Sequence, residues 1–262
     1  MKPRPFAYVR PATVGEAVAL LASAPASRAL AGGQSLIAAM NLREEHADLL
    51  VDIGRLTELH GVALHDGCLR IGAAEPMWDI ERHPLATEHA PLLRRALQTV
   101  GAPGIRSRAT LGGSAAWSDA TSQLPATLLA LDATIVTTTR TVAAETLFAA
   151  ARGEALSRDE LIVAIEIPSQ AGSGFGLAHV RRSHITWPVA GAVALAGSSR
   201  SRVALYGAAP RPLVAAGASP REAMAGVLDL VAPVSDERAG VAYRTAVLPV
   251  LARRAVAEAC GG

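Results

Sequence analysis

Cysteine is scarce: Cys68 and Cys260 are the only two among 262 residues. Two thiols exclude a disulfide framework, and also an iron–sulfur cluster held by this chain alone, which needs about four thiolates. Such thiol usage fits a reducing, cytoplasmic compartment. Aromatic residues make up only 3%, so alanine and valine must supply much of the core. That leaves room for a planar ligand without demanding one. Lysine is nearly missing beside arginine, and the net charge is only +2. The pairs Arg94-Arg95, Arg181-Arg182 and Arg253-Arg254 are isolated, so no basic stripe marks a nucleic-acid partner. Apolar runs are short. The stretch 189–197 falls far below a membrane span, and Met1 to Pro5 is not followed by the apolar region of a signal peptide.

Half of the residues are apolar, enough for one large domain or two to three small ones. Thr13-Val14-Gly15-Glu16 reads as a capping box opening a helix to about Ala24. A short strand over 28–31, a helix over 36–41 that Ser35 can cap, and a buried strand over 49–53 complete a β/α unit ending near residue 55. Asp66-Gly67, flanked by 62–65 and 68–71, predicts a type I′ hairpin. Helices are expected over 77–82, 91–100 and 125–131, and strands over 133–139 and 161–167. Gln170 to Gly174 is the candidate linker. Beyond it come strands over 191–195 and 203–208, broken by Gly197-Ser198-Ser199. A helix follows from Pro220 to about Gly226, and a last one, capped by Ser235-Asp236-Glu237, runs to about Cys260. Pro249 should kink or interrupt it.

The common nucleotide and catalytic signatures are missing: no G-x-G-x-x-G after a strand, no G-x-x-x-x-G-K-[ST], no H-E-x-x-H and no G-x-S-x-G. Among the histidines, His60/His65 and His179/His184 are five apart, wrong for one helical face, so no metal is expected. Two glycine pairs stand out instead: Ala31-Gly32-Gly33-Gln34-Ser35-Leu36 and Thr110-Leu111-Gly112-Gly113-Ser114. Backbone N–H groups in such turns can converge on an anion, and two turns can close on one phosphate-bearing ligand. Ser35, Ser114 and Asp119 are the polar groups nearest to them. Capping and turn bonding weigh about equally with ligand contact for these three. Arg106 and Arg108 precede the second turn, where a pyrophosphate competes with solvent or a carboxylate partner. Trp117 is bulky for its position.

These motifs, in this order, resemble the FAD-binding medium subunit of the xanthine dehydrogenase and aerobic carbon monoxide dehydrogenase family of molybdenum hydroxylases. The resemblance runs over nearly the whole chain. It includes Tyr8 with Pro11, the first glycine segment continuing to Met40-Asn41-Leu42-Arg43, Leu69 to Ala73, Ile105 to Gly113, Leu161 to Pro168, Val180-Arg181-Arg182 and Tyr243-Arg244. It implies an α+β fold: a PCMH-type FAD-binding domain over 1–169, with α/β subdomains of about 1–55 and 56–169. A C-terminal domain over 170–262, with a small antiparallel sheet and helices, follows. It further implies that FAD is held by Ala31, Gly32, Gly33, Gln34, Ser35, Leu36, Thr110, Leu111, Gly112, Gly113 and Ser114, with Asp119 and Gln123 nearby. Leu161 and Ile162 would pack near its rings. Ser114 replaces the family's usual Asn, and Gln123 an Asp that holds the FAD sugar region. No side chain of this chain is expected to be catalytic. Molybdopterin and two [2Fe–2S] clusters would sit on a large and a small partner subunit, as a dimer of heterotrimers. NAD+, oxygen or a quinone would accept the electrons. Two other readings stand against this one: a flavin-poor subunit serving assembly, motivated by Ser114 and Gln123, and, ranked last, a stand-alone flavin oxidase.

Overall fold

The computed structural model describes residues 2–150, 154–183, 185–197 and 200–261. Met1, His184, Ser198 and Ser199, on which parts of the readings above fall, lie outside them. The chain begins with β1 (Ala7–Val9), α1 (Val14–Ser23), β2 (Ser27–Leu30), α2 (Leu36–Leu42) and β3 (Leu49–Asp52). The strands form a parallel sheet in the order β1-β3-β2. Thr13 accepts from the Glu16 N–H at 3.1 Å, while the Glu16 carboxylate accepts from Ala12 at 2.7 Å. The capping box thus closes one residue early. β1 was not foreseen, because Ala7 and Tyr8 are both exposed and an edge strand so short shows no alternation. Ala17, Leu21, Val51, Ile53 and Leu59 are the core of this unit, and Leu161 joins them from far along the chain.

Next come β4 (Val62–His65), β5 (Cys68–Gly72), α3 (Met77–Arg82), α4 (Pro84–His89), α5 (Pro91–Leu97), α6 (Pro103–Arg106), α7 (Leu111–Trp117) and α8 (Gln123–Ala130). They are followed by β6 (Thr134–Thr137), β7 (Thr141–Ala143), α9 (Ala144–Ala149) and β8 (Ile162–Pro168). The five strands form an antiparallel sheet in the order β4-β5-β8-β6-β7. Asp66 and Gly67 have φ of 50° and 76°, both positive as a type I′ turn requires. Helix α5 stops at Leu97 rather than at Val100, and Gly101 turns the chain at φ 45°. β7 and α9 were not foreseen. The second glycine pair, expected as a turn, lies in the first turn of α7, capped by Thr110 accepting from Gly113.

The remainder holds β9 (Gly174–Arg181), β10 (Pro188–Ala196), β11 (Ser201–Tyr206), β12 (Leu213–Gly217), α10 (Pro220–Leu228) and α11 (Val241–Ala259). Its antiparallel sheet has the order β12-β11-β10-β9. Within the candidate linker Gln170 is buried, its N–H donating to the His89 carbonyl at 2.8 Å, while Ala171 and Gly172 are exposed and Gly174 opens β9. Asp236 does not cap the last helix, which starts five residues later behind Gly240. The reason is Arg244, which is 1% exposed and claims the Asp236 carboxylate at 2.7 Å. Asp236 also accepts from the N–H groups of Arg238 and Ala239. α11 continues through Pro249. One face of the sheet packs on α10 and α11. The other sends Leu177, Val193, Leu195, Ala204 and Tyr206 into the large core shared with α5 and α8.

Candidate functional site

A cavity of about 650 Å³ opens where the parallel sheet, the five-stranded sheet and the β9–β10 connection meet. Its floor is set by glycine. A Cβ on Gly32 would stand 2.0 Å from the Arg108 carbonyl oxygen, and one on Gly112 would stand 2.6 Å from both Ala73 Cβ and the Ala73 carbonyl. Gly32 therefore packs on the backbone of Arg108 and Ala109, just ahead of the second glycine segment, and Gly112 packs on Ala73. Gly33 turns with φ 72° into α2, a conformation that β-carbons disfavour. Ser35 occupies the N-cap position of α2 but makes no capping bond with its side chain. Gln34 donates to the Gly32 carbonyl at 3.1 Å. At the start of α7 the N–H groups of Gly112, Gly113 and Ser114 donate to the Ala73 carbonyl, the Thr110 hydroxyl and the Thr110 carbonyl, and in α2 the Ile37 N–H donates to the Gly33 carbonyl.

One wall is the segment 99–105, fixed from behind by Arg106. That guanidinium, 8% exposed, donates to Glu81 at 2.8 Å and to the carbonyls of Val100 and Gly101 at 3.1 Å each. A carboxylate, and not a ligand phosphate, is thus its partner; Arg108 is exposed and lends its backbone only. Gln123, 3% exposed, donates to Thr99 Oγ1 at 3.2 Å, and Arg181 donates to the Thr99 carbonyl at 2.8 Å. Burial, with Arg181 and Arg95 nearby, holds His179 down to about 4, so its ring is neutral at pH 7.

The opposite wall is 155–162, organised by Glu160. Burial opposes its ionisation, yet hydrogen bonds from Arg140, Thr137 and the Ser157 N–H bring it from an ordinary 4.5 down to about 2. A depressed carboxylate contributes stability above its unfolded pKa and loses it as pH falls through the folded one. Arg140 is half-exposed, so solvent screens the pair. Glu160→Gln is expected to cost about 0.5–1 kcal/mol at pH 7. The gap to the wild type should close as pH drops from 4.5 towards 2, read by urea denaturation at each pH. An equal gap at pH 7 and pH 2 would contradict it.

Of the residues that the resemblance places around FAD, all line this cavity except Leu111 and Asp119; Arg106 and Arg108, singled out beside the second glycine pair, do not line it either. Leu111 is fully buried in the core. Asp119 lines a separate cavity of about 260 Å³ beside Asp236 and Arg244, where it accepts from the N–H and hydroxyl of Thr121. Trp117 is on the cavity wall. Lining residues that the sequence did not suggest include Arg28, Glu45, Thr99 to Gly101, Leu156 to Arg158, Glu160, and Ile185 to Pro188. They belong to loops and strand ends without a recurring signature. Among the described residues, no three His, Cys, Asp or Glu side chains group as a metal site, and no helix is long and apolar enough to cross a membrane.

Residues 4–170 match the family described as the FAD binding domain in molybdopterin dehydrogenase. The chain is 32% identical to the carbon monoxide dehydrogenase medium chain of Hydrogenophaga pseudoflava, over 98% of this chain and 97% of that one. It is 31% identical to a putative xanthine dehydrogenase FAD-binding subunit of Escherichia coli, over 96% and 95%. A solved carbon monoxide dehydrogenase from Hydrogenophaga pseudoflava, lacking the Mo-pyranopterin moiety of its molybdenum cofactor, superposes with a TM-score of 0.93 at 31% identity. That match covers 100% of this chain and 99% of that one.

Proposed function

The chain belongs to the family of FAD binding domains in molybdopterin dehydrogenases, and on that premise we propose that it is the electron-transfer subunit of a molybdenum hydroxylase complex. In this role it stands between the [2Fe–2S] clusters of a small partner and an external acceptor such as NAD+, oxygen or a quinone. A molybdopterin-binding large subunit completes a unit that pairs as a dimer of heterotrimers in the cytoplasm. The observation that carries this reading is the single cavity wall made by both glycine segments. Its volume suits a dinucleotide-sized ligand; the missing Cβ atoms at Gly32 and Gly112 let the chain close on Arg108 and Ala73 to form the cavity floor, and Gly33 takes the positive φ that leads into α2. The residues present therefore fit FAD.

Bound FAD supplies a carrier that takes electrons singly or in pairs, chemistry that belongs to the cofactor. The chain supplies the binding. Backbone N–H groups of 32–36 would hold the pyrophosphate, while those of Gly112, Gly113 and Ser114 are engaged by Ala73 and Thr110 and shape the wall beside it; the Ser114 and Gln123 side chains would add neutral hydrogen bonds. Leu161 and Ile162, each 5% exposed, close the apolar side and exclude water. The FAD-binding domain spans 1–169, as subdomains of about 1–55 and 56–169, and the C-terminal domain spans 170–262. The purified chain is expected to be yellow, to release FAD with acid, and to co-purify with iron–sulfur and molybdenum polypeptides. A colourless chain that takes up no added FAD overturns the reading. So does substrate oxidation by this chain in the absence of such partners.

A further inference from the structure

The cavity of about 260 Å³ beside Asp119 shares no lining residue with the large one. Three segments build it: the 118–121 turn between α7 and α8, the 207–210 stretch after β11, and the approach to α11. Hydrogen bonds fix these segments to one another. The Gly207 N–H donates to the Ala120 carbonyl at 2.7 Å, and Arg238 donates to the Thr121 hydroxyl at 2.6 Å. Pro210 and Val234 are exposed at its mouth, and Arg244, 1% exposed, lines its interior.

The polar groups of this cavity are only partly used. Arg244 gives its terminal nitrogens to the Val234 carbonyl and the Asp236 carboxylate, but its buried Nε has no hydrogen-bond partner among the described residues. Buried side-chain donors are nearly always paired. Asp236 is fully engaged, by two N–H groups on one oxygen and two guanidinium groups on the other. Asp119 spends Oδ1 on the N–H and hydroxyl of Thr121 and leaves Oδ2 open. An unpaired cationic donor and a half-used carboxylate therefore line one small cavity.

We infer that this cavity is a second ligand site, for a small neutral molecule with a carbonyl next to an N–H, such as a lactam, a ureide or a primary carboxamide. The carbonyl accepts from Arg244, and the N–H donates to Asp119 Oδ2. Charge decides the class. Asp119 and Asp236 balance Arg238 and Arg244, so neither an anion nor a cation gains enough to offset its lost hydration. A neutral amide avoids that loss and still meets both unused groups. The volume lies below the roughly 300–1,000 Å³ of pockets for drug-sized ligands, so the ligand is smaller, and Ala120, Ala209 and Val234 cover its apolar part.

The full chain, nitrogen-15-labelled and carrying the flavin with which it purifies, is titrated with 2-pyrrolidone while backbone amide and arginine Nε–H resonances are followed. Saturable shifts are expected at Ser118 to Thr121, Gly207, Ala209 and the Arg244 Nε–H. N-methyl-2-pyrrolidone, which lacks the N–H, binds at least about tenfold more weakly, the worth of one hydrogen bond to a charged group. Acetate and methylammonium bind more weakly than 2-pyrrolidone. In Asp119→Asn the amide oxygen keeps the bonds to Thr121 and an NH2 replaces Oδ2, so 2-pyrrolidone drops to the level of its N-methyl analogue. Unchanged resonances elsewhere report an intact fold. No saturable shift, equal binding of the two lactams, tighter binding of either ion, or undiminished binding in Asp119→Asn overturns the inference. The two lactams compared on the wild-type chain decide it even where the variant does not fold. A colourless chain that shows the expected shifts overturns the FAD reading and leaves this site standing.

Discussion

Gly32→Ala strips the purified chain of flavin and lowers its Tm by roughly 6 to 10 °C, the shift expected for a loss of about 3 kcal/mol in a chain of this size. The new Cβ would meet the Arg108 carbonyl oxygen at 2.0 Å, its carbon at 2.7 Å and Ala109 Cα at 2.8 Å. All are backbone atoms, so no side chain can rotate away. Either the 30–33 turn or the 108–110 segment must retreat, and both line the cavity. Overpacking of this kind costs about 1–3 kcal/mol and occasionally more. Gly104→Ala is the matched control: its Cβ meets nothing within 4 Å, and it should keep both flavin and Tm. Thermal melting with flavin release by acid reads both variants. A Gly32→Ala chain that stays yellow and melts with the wild type would show that Gly32 is not wedged against the backbone of Arg108 and Ala109.

Arg106→Met is the second large effect. Arg106 and Glu81 are each 8% exposed, and removing Arg106 leaves the buried carboxylate with the more distant, half-exposed Arg82 at 3.7 Å, at a cost of about 3 kcal/mol, the low end for a broken buried pair. The Val100 and Gly101 carbonyls also lose their donors, so the wall over 99–105 loosens and FAD affinity falls. The double variant Arg106→Met/Glu81→Leu separates the two consequences. It should recover much of the stability in urea denaturation, because the stranded charge is gone. Flavin affinity should not recover, because the two carbonyls still lack donors. Recovery of both together would mean that the ion pair supports the fold but not the wall.

Local chemistry made much of this legible beforehand. Asp66-Gly67 announces its turn because few residue pairs accept two positive φ angles. Thr13 and Glu16 announce α1 because a hydroxyl and a carboxylate three apart satisfy orphan donors. The glycine pairs were legible as sites of close approach, although what approaches Gly32 and Gly112 most closely is the chain's own backbone. What stayed hidden depends on partners distant in sequence. Asp236 looks like a helix cap until Arg244 is seen to hold it. Asp119 and Gln123 sit four residues apart, yet the turn between them, closed by the Ser122 N–H on the Asp119 carbonyl, sends them to different cavities. Arg28 and Glu45 carry no motif. They meet only because β2 and the segment after α2 return to the same edge.

Strand β8 sits between β5 and β6, joining chain 96 residues apart at Arg70 and Glu166. Its neighbours Leu161 and Val163 also serve the core of the first, parallel unit. During synthesis, then, a ribosome-bound chain that has not yet released residue 168 carries two open sheet edges, on β5 and on β6. Such edges invite mispairing, and pairings between distant segments are slow to form. The cavity has no second wall until that strand inserts. Cofactor capture is therefore a late event in the life of the nascent polypeptide, and growth conditions that stall translation within the first 160 or so residues should favour aggregation over flavin loading.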